Sequence, residues 1–356
     1  MTLPSAHPLA DGRTASSRLV RAARGDRPDV RPVWFMRQAG RSLPEYRELR
    51  AGGDMLQACV TPDLAAEITL QPVRRHGVDA AVHFSDIVVP VLLAGVAVRI
   101  VTGKGPVFDE PVRTAADVAR LPHLDPEALA PIAAAVAIVV AELGETPLIG
   151  FGGAPYTLAS YLVEGGPSKE QLRTRGMMHA DPAAWAALLD WCADVTGVFL
   201  RTQVEAGASV VQLFDSWAGS LSRADYATSV LPHSRRALDH VADLASADGH
   251  VPRIHFGLGT GPFLDLLPTA GADVVGVDWR LPLDEAAARV PGIPLQGNID
   301  PALLDAPAAV LDAHVAEVLR RGDAAPAHIV NLGHGVPPEA DPGVLTRLVE
   351  VVHAAP

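Results

Sequence analysis

The stretch PAAWAALLDWCADVTGVFLRTQVEAGASVVQLFDS, residues 182–216, decides the fold class. Its first part, Pro182–Glu205, has the apolar spacing of a long amphipathic helix. A short turn then leads into Val210–Ser216, a strand that is apolar almost throughout. Continuous apolar strands that alternate with amphipathic helices are typical of a parallel sheet covered by helices.

The same strand and helix patterns recur along the chain. Together with Val210–Ser216, the predicted strands number eight, the others being Val33–Arg37, Ala80–Asp86, Pro147–Gly153, Arg253–Gly259, Val274–Trp279, Pro294–Asp300 and His328–Gly335. Helical patterns lie between them, at Pro62–Arg75, Arg223–Ala245, Leu283–Arg289, Ala308–Arg321 and Pro342–His353. Eight such units favour an α/β fold closed as a (β/α)8 TIM barrel. We expect residues 16–356 to form this barrel as a single catalytic domain.

Two segments fall outside the repeating pattern. A long excursion separates Asp86 from the third strand, and within it Ala97–Val101 with Gly103 and Gly105 predicts a hairpin. Such an excursion over the barrel mouth is where a lid or substrate rim would lie. Residues 1–15 have no apolar run, so we expect a disordered N-terminal arm and no secretory signal.

Composition limits the class of protein. Of the 356 residues, 49% are hydrophobic, and the net charge of −12 argues against nucleic acid as a partner. We expect no stretch to be long and apolar enough to cross a bilayer, so no membrane partner is predicted. Cys59 and Cys192 lack CxxC spacing, which argues against a disulfide framework and favours the cytoplasm.

Candidate site residues cluster at the carboxyl ends of the predicted strands, the face that carries the active site in this fold. Arg37 and Arg41 bracket a glycine and could form an anion cradle, because arginine binds carboxylates in a forked geometry. Asp86 ends an apolar strand and precedes residues with little tendency to start a helix, so its carboxylate has no evident local structural role. The candidates are Arg37, Gln38, Ala39, Gly40, Arg41, Asp86, Tyr161, Ser216 and His334.

Most of these residues also have a purely structural interpretation. Arg37 and Arg41 are compatible with solvated loop charges, and Asp86 with a helix N-cap. Tyr161 fits the apolar face of a helix, and Ser216 fits a turn cap. His334, between two glycines, fits a buried structural histidine. The shared position at the strand ends favours the functional interpretation.

Motifs of several enzyme classes are absent from the sequence. There is no GxSxG elbow, P-loop, HExxH helix or dinucleotide-binding GxGxxG after the first strand. The glycine-rich turn at 257–261 is a weak phosphate signal, and the His and Cys residues are too scattered for a metal constellation. We therefore expect neither a metal nor a cofactor.

Several motifs, in order along the chain, resemble the uroporphyrinogen decarboxylase family. They are PVWFMRQAGR at 32–41, FSDI at 84–87, GFGGAPYTLASY at 150–161, FDSWAG at 214–219, QGNID at 296–300 and NLGHG at 331–335. The resemblance runs from Arg18 to His353, and MRQAGR is long enough to be specific. Tyr156 departs from the family pattern, in which a tryptophan is expected there.

The resemblance implies a carboxy-lyase of haem and porphyrin biosynthesis, usually a homodimer. It would convert the four acetate side chains of uroporphyrinogen III to methyl groups, giving coproporphyrinogen III and four CO2. By the matching motifs, Asp86 faces the pyrroles, and the substrate-binding set is Arg37, Gln38, Ala39, Gly40, Arg41, Asp86, Tyr161, Ser216 and His334. The candidate catalytic groups are Asp86, Arg37, Tyr161 and His334.

The implied chemistry needs no cofactor, because a protonated pyrrole can itself accept the electrons of the breaking bond. The proton donor stays open among Arg37, Tyr161, His334 and water. One alternative is a methyltransferase of the same barrel superfamily, which would need zinc bound through His and Cys. Another is a non-catalytic tetrapyrrole-binding module, which would lack Asp86 or Arg37. We expect the loop Trp217–Tyr226 to lie in the homodimer interface.

Overall fold

The computed structural model describes residues 1–40 and 42–355. Its strands are β1 (Ala81–Val82), β2 (Arg99–Val101), β3 (Gly105–Val107), β4 (Leu148–Gly153), β5 (Val210–Asp215), β6 (Ala245–Ser246), β7 (Gly249–His250), β8 (Arg253–Gly257), β9 (Val274–Gly276), β10 (Leu295–Ile299) and β11 (His328–Leu332).

The α-helices alternate with the longer strands. They are α1 (Arg18–Ala23), α2 (Pro44–Leu49), α3 (Met55–Cys59), α4 (Pro62–His76), α5 (Val89–Leu93), α6 (Ala115–Val118), α7 (Ala130–Leu143), α8 (Pro155–Glu164), α9 (Leu172–Ala180), α10 (Pro182–Glu205), α11 (Arg223–Ser229), α12 (Leu231–Ala242), α13 (Leu283–Arg289), α14 (Ala308–Gly322) and α15 (Pro342–Ala354). Short 3-10 helices cover Pro126–Leu129, Ala218–Ser220, Gly261–Leu266, Pro268–Ala270 and Pro301–Asp305.

Seven of the described strands form one parallel sheet in the order β1-β4-β5-β8-β9-β10-β11, which is also their order along the chain. The extended segment 32–34 lies between the two edges of this sheet. Val33 forms a parallel bridge with Val330 in β11, and on the other side its carbonyl accepts a hydrogen bond of 2.9 Å from the amide of Asp79. The predicted (β/α)8 barrel is confirmed. The eight extended segments of the barrel wall are its staves, and the segment 32–34, the first stave along the chain, closes the sheet.

The first stave is shorter than the predicted strand Val33–Arg37. The amides of Phe35 and Met36 donate to side-chain oxygens, of Gln38 at 2.9 Å and of Asn331 at 3.0 Å, instead of to a neighbouring strand. Arg37 has a φ of 65°, in the left-handed region that non-glycine residues rarely adopt. The chain therefore turns out of the sheet at the point where the site begins.

Most predicted helices are confirmed to within a residue or two. One prediction, a single helix over Arg223–Ala245, is wrong, because α11 and α12 are separated at Val230. Pro232 lies in the first turn of α12, and proline cannot donate a backbone hydrogen bond to the preceding turn. Ala245 belongs to β6 instead.

Side chains fill the barrel interior. Phe214 packs edge-on against Phe151 and Phe256, with ring centroids 5.4 and 6.1 Å apart. Gln296 in β10 donates to Gln212 in β5 at 2.9 Å, and these strands are not neighbours in the sheet, so the bond crosses the interior. A filled interior leaves the two ends of the barrel as the places for a binding site.

The excursion between β1 and β4 forms part of the rim at the carboxyl end. The predicted hairpin is confirmed as the antiparallel pair β2–β3. The chain after it docks on α8, because the amide of Phe108 donates to Gly165 O at 3.1 Å and the amide of Val112 donates to Leu162 O at 3.0 Å. The excursion is therefore fixed to the helix that carries Tyr161.

The N-terminal residues are packed, which corrects the prediction of a disordered arm over residues 1–15. Leu3 and Leu9 are buried in the main core. His7 Nε2 donates to Val204 O at 2.9 Å, and the hydroxyls of Thr14 and Ser209 are 2.8 Å apart. Because Val204 and Ser209 precede β5, this segment covers the amino end of the barrel, opposite the predicted site.

Two segments, Pro126–Leu143 and Pro182–Glu205, are long and apolar enough to cross a membrane by length and composition, so the expectation of none is wrong by that criterion. Of the windows tested, 33% and 61% respectively are buried. The second is α10, a core helix packed against α8, α12 and β4. Core helices pass the same criterion, so it gives weak support for a membrane role.

Candidate functional site

Asp86 lies just beyond β1, half-buried at the carboxyl end of the barrel, where the candidate cleft lies. Its Oδ1 accepts a hydrogen bond of 3.0 Å from the amide of Val88. Asp86 therefore does cap the local turn, but this uses only one of its two carboxylate oxygens. Within the described residues it forms no ion pair. Burial raises the pKa of Asp86, while the Val88 hydrogen bond and the charge of Arg37 act in the opposite direction. This is a desolvated carboxylate with one weak internal partner.

Arg37 projects into the same cleft from the turn after the first stave. Burial raises the pKa values of Asp86 and Tyr161 and the charge of Arg37 opposes this, while at His334 burial and the charge of Arg37 both lower the pKa. The guanidinium therefore lies near all three groups. The aliphatic part of its side chain lies on Gly335, where an added Cβ would be 2.5 Å from Arg37 Cδ. The absence of a side chain at 335 is therefore what makes room for Arg37.

Tyr161 forms a wall of the cleft from the second half of α8. Its ring packs edge-on against Trp217, with centroids 5.2 Å apart and planes at 87°. Burial, then the charge of Asp86, raises the pKa of Tyr161, so its hydroxyl stays protonated at neutral pH. The effect of Asp86 shows that the carboxylate lies near this wall.

His334 lies in the glycine turn after β11, half-buried between two cations. Burial lowers its pKa to about 4, and the charges of Arg37 and Arg280 act in the same direction. The ring is therefore neutral at pH 7. It contacts Trp279 edge-on, with centroids 6.4 Å apart.

Trp279 and Arg280, after β9, are site residues that the sequence analysis missed. The Arg280 guanidinium lies 3.9 Å from the centroid of the Trp279 ring, and its Nη1 donates to Asp278 Oδ2 at 2.7 Å. The signal was available, since Trp279 ends a predicted strand as Asp86 does, and Arg280 is the next residue. Arg280 adds a second, exposed cation to the mouth.

The other predicted residues lie nearby but are not equivalent. Gln38 is fully buried, with Oε1 accepting the amide of Phe35 and Nε2 donating to Ala80 O at 3.0 Å. Its side chain therefore ties the first stave to the second and does not face the cleft. Ala39, Gly40 and Ser216 are half-buried at the mouth. Arg41 lies outside the described residues.

Metal-ligating side chains do not cluster within residues 1–40 and 42–355. No group of three or more His, Cys, Asp and Glu side chains there is arranged to hold a metal ion. Cys59 and Cys192 are free and buried. The His and Cys zinc site required by the methyltransferase alternative has no counterpart among these residues.

A parallel α/β barrel with a desolvated carboxylate, two guanidiniums, a neutral imidazole and a phenol at its carboxyl end defines an enzyme of the TIM-barrel class. The chain matches the Uroporphyrinogen decarboxylase (URO-D) family over residues 14–355. The uroporphyrinogen decarboxylase of Arthrobacter sp. (strain FB24) is 64% identical over 345 residues, covering 97% of this chain and 99% of the relative. That of Leifsonia xyli subsp. xyli (strain CTCB07) is 62% identical over 368 residues, covering 99% and 98%.

Among solved structures, a methyltransferase from Methanosarcina mazei superposes with a TM-score of 0.77 at 20% identity, covering 95% of this chain and 98% of that one. This similarity shows the shared barrel alone. The sequence relationships are much stronger, and the chain belongs to the uroporphyrinogen decarboxylase family. It is therefore a carboxy-lyase of porphyrin biosynthesis.

Proposed function

We propose that the chain decarboxylates the four acetate side chains of uroporphyrinogen III to methyl groups, releasing four CO2 and coproporphyrinogen III. The single observation that carries the proposal is Asp86, a desolvated carboxylate without an ion-pair partner among the described residues. Pyrrole N–H groups, and the cation formed from them during reaction, are the missing partners that its charge suits.

The chemical steps balance within the substrate. A proton adds to a pyrrole α-carbon and makes an iminium-like ring. The electrons of the bond to the acetate carboxylate then move into the ring as CO2 leaves. Protonation of the exocyclic carbon gives the methyl group, and loss of the α-proton restores the pyrrole. The substrate thus supplies the electron sink for which other decarboxylases use a cofactor.

Asp86 is proposed to stabilise the cationic ring. At a separation of about 4 Å and an effective dielectric constant near 20, the attraction of opposite unit charges is about 4 kcal/mol. If this interaction exists only along the reaction path, it is worth on the order of a thousandfold in rate. The raised pKa of Asp86 shows that the free site holds this charge at a disadvantage, which a cationic partner would relieve.

Arg37 is proposed to hold the reacting carboxylate, with Arg41 as a second cation of the same motif. Arg280 is proposed to contact a peripheral carboxylate at the opposite side of His334. Forked hydrogen bonds suit arginine for both tasks. Ser216, Ala39 and Gly40 are proposed to line the mouth, and Gln38 to hold the first stave in place behind them.

The charges around the site reduce the number of candidate proton donors. His334 with a pKa of about 4 is a neutral imidazole at pH 7, so it does not hold the extra proton of an imidazolium. Tyr161 retains its proton. Arg37, Tyr161 and a bound water remain as donors, and His334 is proposed to orient substrate by hydrogen bonding.

We also propose a homodimer in the cytoplasm. Support for the dimer comes from family membership and from the exposed positions Ser222, Arg223 and Ala224 within the loop 217–226. Tyr226 is buried and stacks on Phe263 at 4.5 Å within the chain, so it is not itself an interface residue. Light scattering over a dilution series should give a dimer, and a monomer that is fully active at every concentration would contradict it.

The function is tested with the pure protein, stripped of metal by a chelator and treated with a carbonyl reagent. It is incubated anaerobically with uroporphyrinogen III, and the oxidised products are separated by their number of carboxylates. We expect seven-, six- and five-carboxylate intermediates and then the four-carboxylate product. Loss of turnover that added metal or pyridoxal phosphate restores would contradict the cofactor-free mechanism.

A further inference from the structure

Asp215, at the carboxyl end of β5, is a second buried carboxylate that the proposed mechanism does not use. It is fully buried. Phe214 points into the barrel interior, so Asp215, the next residue along the strand, points to the opposite face, toward the helices. The side chain therefore cannot contact substrate in the cleft, and its role lies behind the cleft wall.

Thr157, in the first turn of α8, connects Asp215 to the loop after β5. Its Oγ1 is 2.8 Å from Asp215 Oδ1 and 3.3 Å from the amide nitrogen of Trp217. A backbone amide only donates, so the hydroxyl oxygen must accept in the bond with Trp217, and its own proton is free for the carboxylate. The hydroxyl donates its proton to Asp215 and accepts the amide of Trp217.

Thr157 and Tyr161 are four residues apart on α8 and so share one face of the helix. Thr157 holds the backbone of Trp217, while the Tyr161 ring packs edge-on against the Trp217 indole. The cleft wall formed by Tyr161 and Trp217 is thus anchored at both ends to the same helical face.

The remaining surroundings of Asp215 close off its carboxylate. His255 Nε2, on the neighbouring strand β8, lies 3.8 Å from Asp215 Oδ2, within ion-pair range but beyond hydrogen-bond distance. Burial, followed by the charge of Asp215, raises the pKa of Tyr226 on α11, so this phenol lies on the same side. Thr157, His255 and Tyr226 thus come from three elements packed around one carboxylate, whose Oδ2 accepts no hydrogen bond from the described residues.

We infer that Asp215 and Thr157 are positioning residues, which set the Tyr161–Trp217 wall relative to Asp86 and thereby support turnover. The inference rests on the proposed function, because it assigns the wall a role in that reaction. Neither residue touches substrate. Their effect passes through one shared hydroxyl to the amide of Trp217 and the ring of Tyr161.

The test replaces Thr157 with valine, which keeps the shape and removes the hydroxyl. Thr174→Val is the matched control, because the fully buried Thr174 also donates its hydroxyl to a carboxylate, Glu164 Oε1, at 3.0 Å. We expect both variants to lose similar thermal stability. Thr157→Val should lose about tenfold in kcat with KM within about twofold, as a purely transition-state effect requires, whereas Thr174→Val should keep kcat.

Two further measurements separate positioning from general destabilisation. Thr157→Ser, which retains the hydroxyl, should recover most of kcat. In a double-mutant cycle, Thr157→Val should cost little in a Tyr161→Phe background, because both act through the same wall. Equal kcat for Thr157→Val and Thr174→Val, or independent losses in the cycle, would overturn the inference. Absence of uroporphyrinogen decarboxylation by the wild-type protein would instead overturn the proposed function.

Discussion

Asp86 and Asp215 occupy equivalent positions in the barrel, but the groups around their carboxylates differ. Each lies at the carboxyl end of a stave, after Phe84-Ser85 in one case and Phe214 in the other. Asp215 is fully buried and accepts from Thr157, with His255 within ion-pair range. Asp86 faces the cleft. Burial raises its pKa, and one backbone hydrogen bond and then the charge of Arg37 act in the opposite direction.

We propose that the difference separates a structural carboxylate from a functional one. Asp215 is enclosed by the chain, and the Thr157 hydroxyl that donates to its Oδ1 fixes α8 to the end of β5, while its Oδ2 accepts no hydrogen bond from the described residues. Asp86 accepts only the backbone amide of Val88 and is half-buried. We propose that its charge is held at a disadvantage, which is the pattern of a group whose partner arrives with the substrate.

The largest expected effect is on turnover by Asp86→Asn. The substitution keeps the shape and the bond to Val88 and removes the charge. We expect kcat to fall on the order of a thousandfold, which corresponds to about 4 kcal/mol of transition-state stabilisation. KM should change little, because the ring is cationic only along the reaction path. A near-normal kcat with a raised KM would make Asp86 an ordinary binding group.

A smaller loss should follow from Gly335→Ala. The added Cβ would be 2.5 Å from Arg37 Cδ, and because that is a flexible side chain, the arginine should move while the fold is kept. We expect kcat/KM to fall about 10- to 100-fold, since hydrogen bonds to charged groups contribute about 1.5–3 kcal/mol. Gly176→Ala is the control, because its Cβ would meet nothing within 4 Å. Unchanged steady-state kinetics in Gly335→Ala would show that Arg37 is not needed in its present position.

Much of this arrangement could be predicted from sequence, and the reasons are local. The helix over Pro182–Glu205 has a proline in its first turn and is capped by Asp181, whose side chain accepts the amide of Ala184. Strand ends could be placed because buried parallel strands are apolar throughout. From these signals the sequence analysis predicted that Asp86, Arg37, Tyr161 and His334 lie at the carboxyl end of the barrel.

What sequence could not predict depends on contacts between distant segments. Gln38 was expected to face the substrate, but it binds the backbone of the second stave at Ala80. Arg280 follows the end of a predicted strand, but its position over Trp279 and near His334 appears only in the closed barrel. The N-terminal arm was expected to be disordered because residues 1–15 have no apolar run, yet the isolated Leu3 and Leu9 are buried against distant segments.

Asp215→Asn should have a moderate effect on both stability and turnover. The substitution exchanges one carboxylate oxygen for an amide nitrogen and leaves one oxygen to accept from Thr157. We expect the midpoint of thermal unfolding to fall and kcat to fall about tenfold, or about 1.4 kcal/mol. Calorimetry and steady-state kinetics on the same preparation would check this. An increase in thermal stability would contradict the structural role and remove the contrast with Asp86.

The smallest expected effect concerns His334→Gln and pH. With a pKa of about 4, His334 is already neutral at pH 6, so replacing it should leave the shape of the pH–rate profile between pH 6 and 8 unchanged. The unfolded state binds a proton near pH 6.5 and the folded state does not, so this histidine destabilises the fold as pH falls from 6.5 toward 4. A shift of the profile near neutral pH would show that an imidazolium takes part in turnover.

The central claim is that Asp86 keeps its charge for the substrate at a cost to the fold, and the free energy of unfolding of Asp86→Asn at pH 7 tests it most directly. Because the pKa of Asp86 is raised in the folded state, that state binds its proton more tightly, and wild-type stability should decrease as pH rises through this pKa. The account predicts that the inactive Asp86→Asn protein is more stable than wild type at pH 7, with the difference shrinking as pH is lowered. A variant that is less stable than wild type at pH 7 would show that Asp86 serves the fold, as Asp215 does, and would contradict the account.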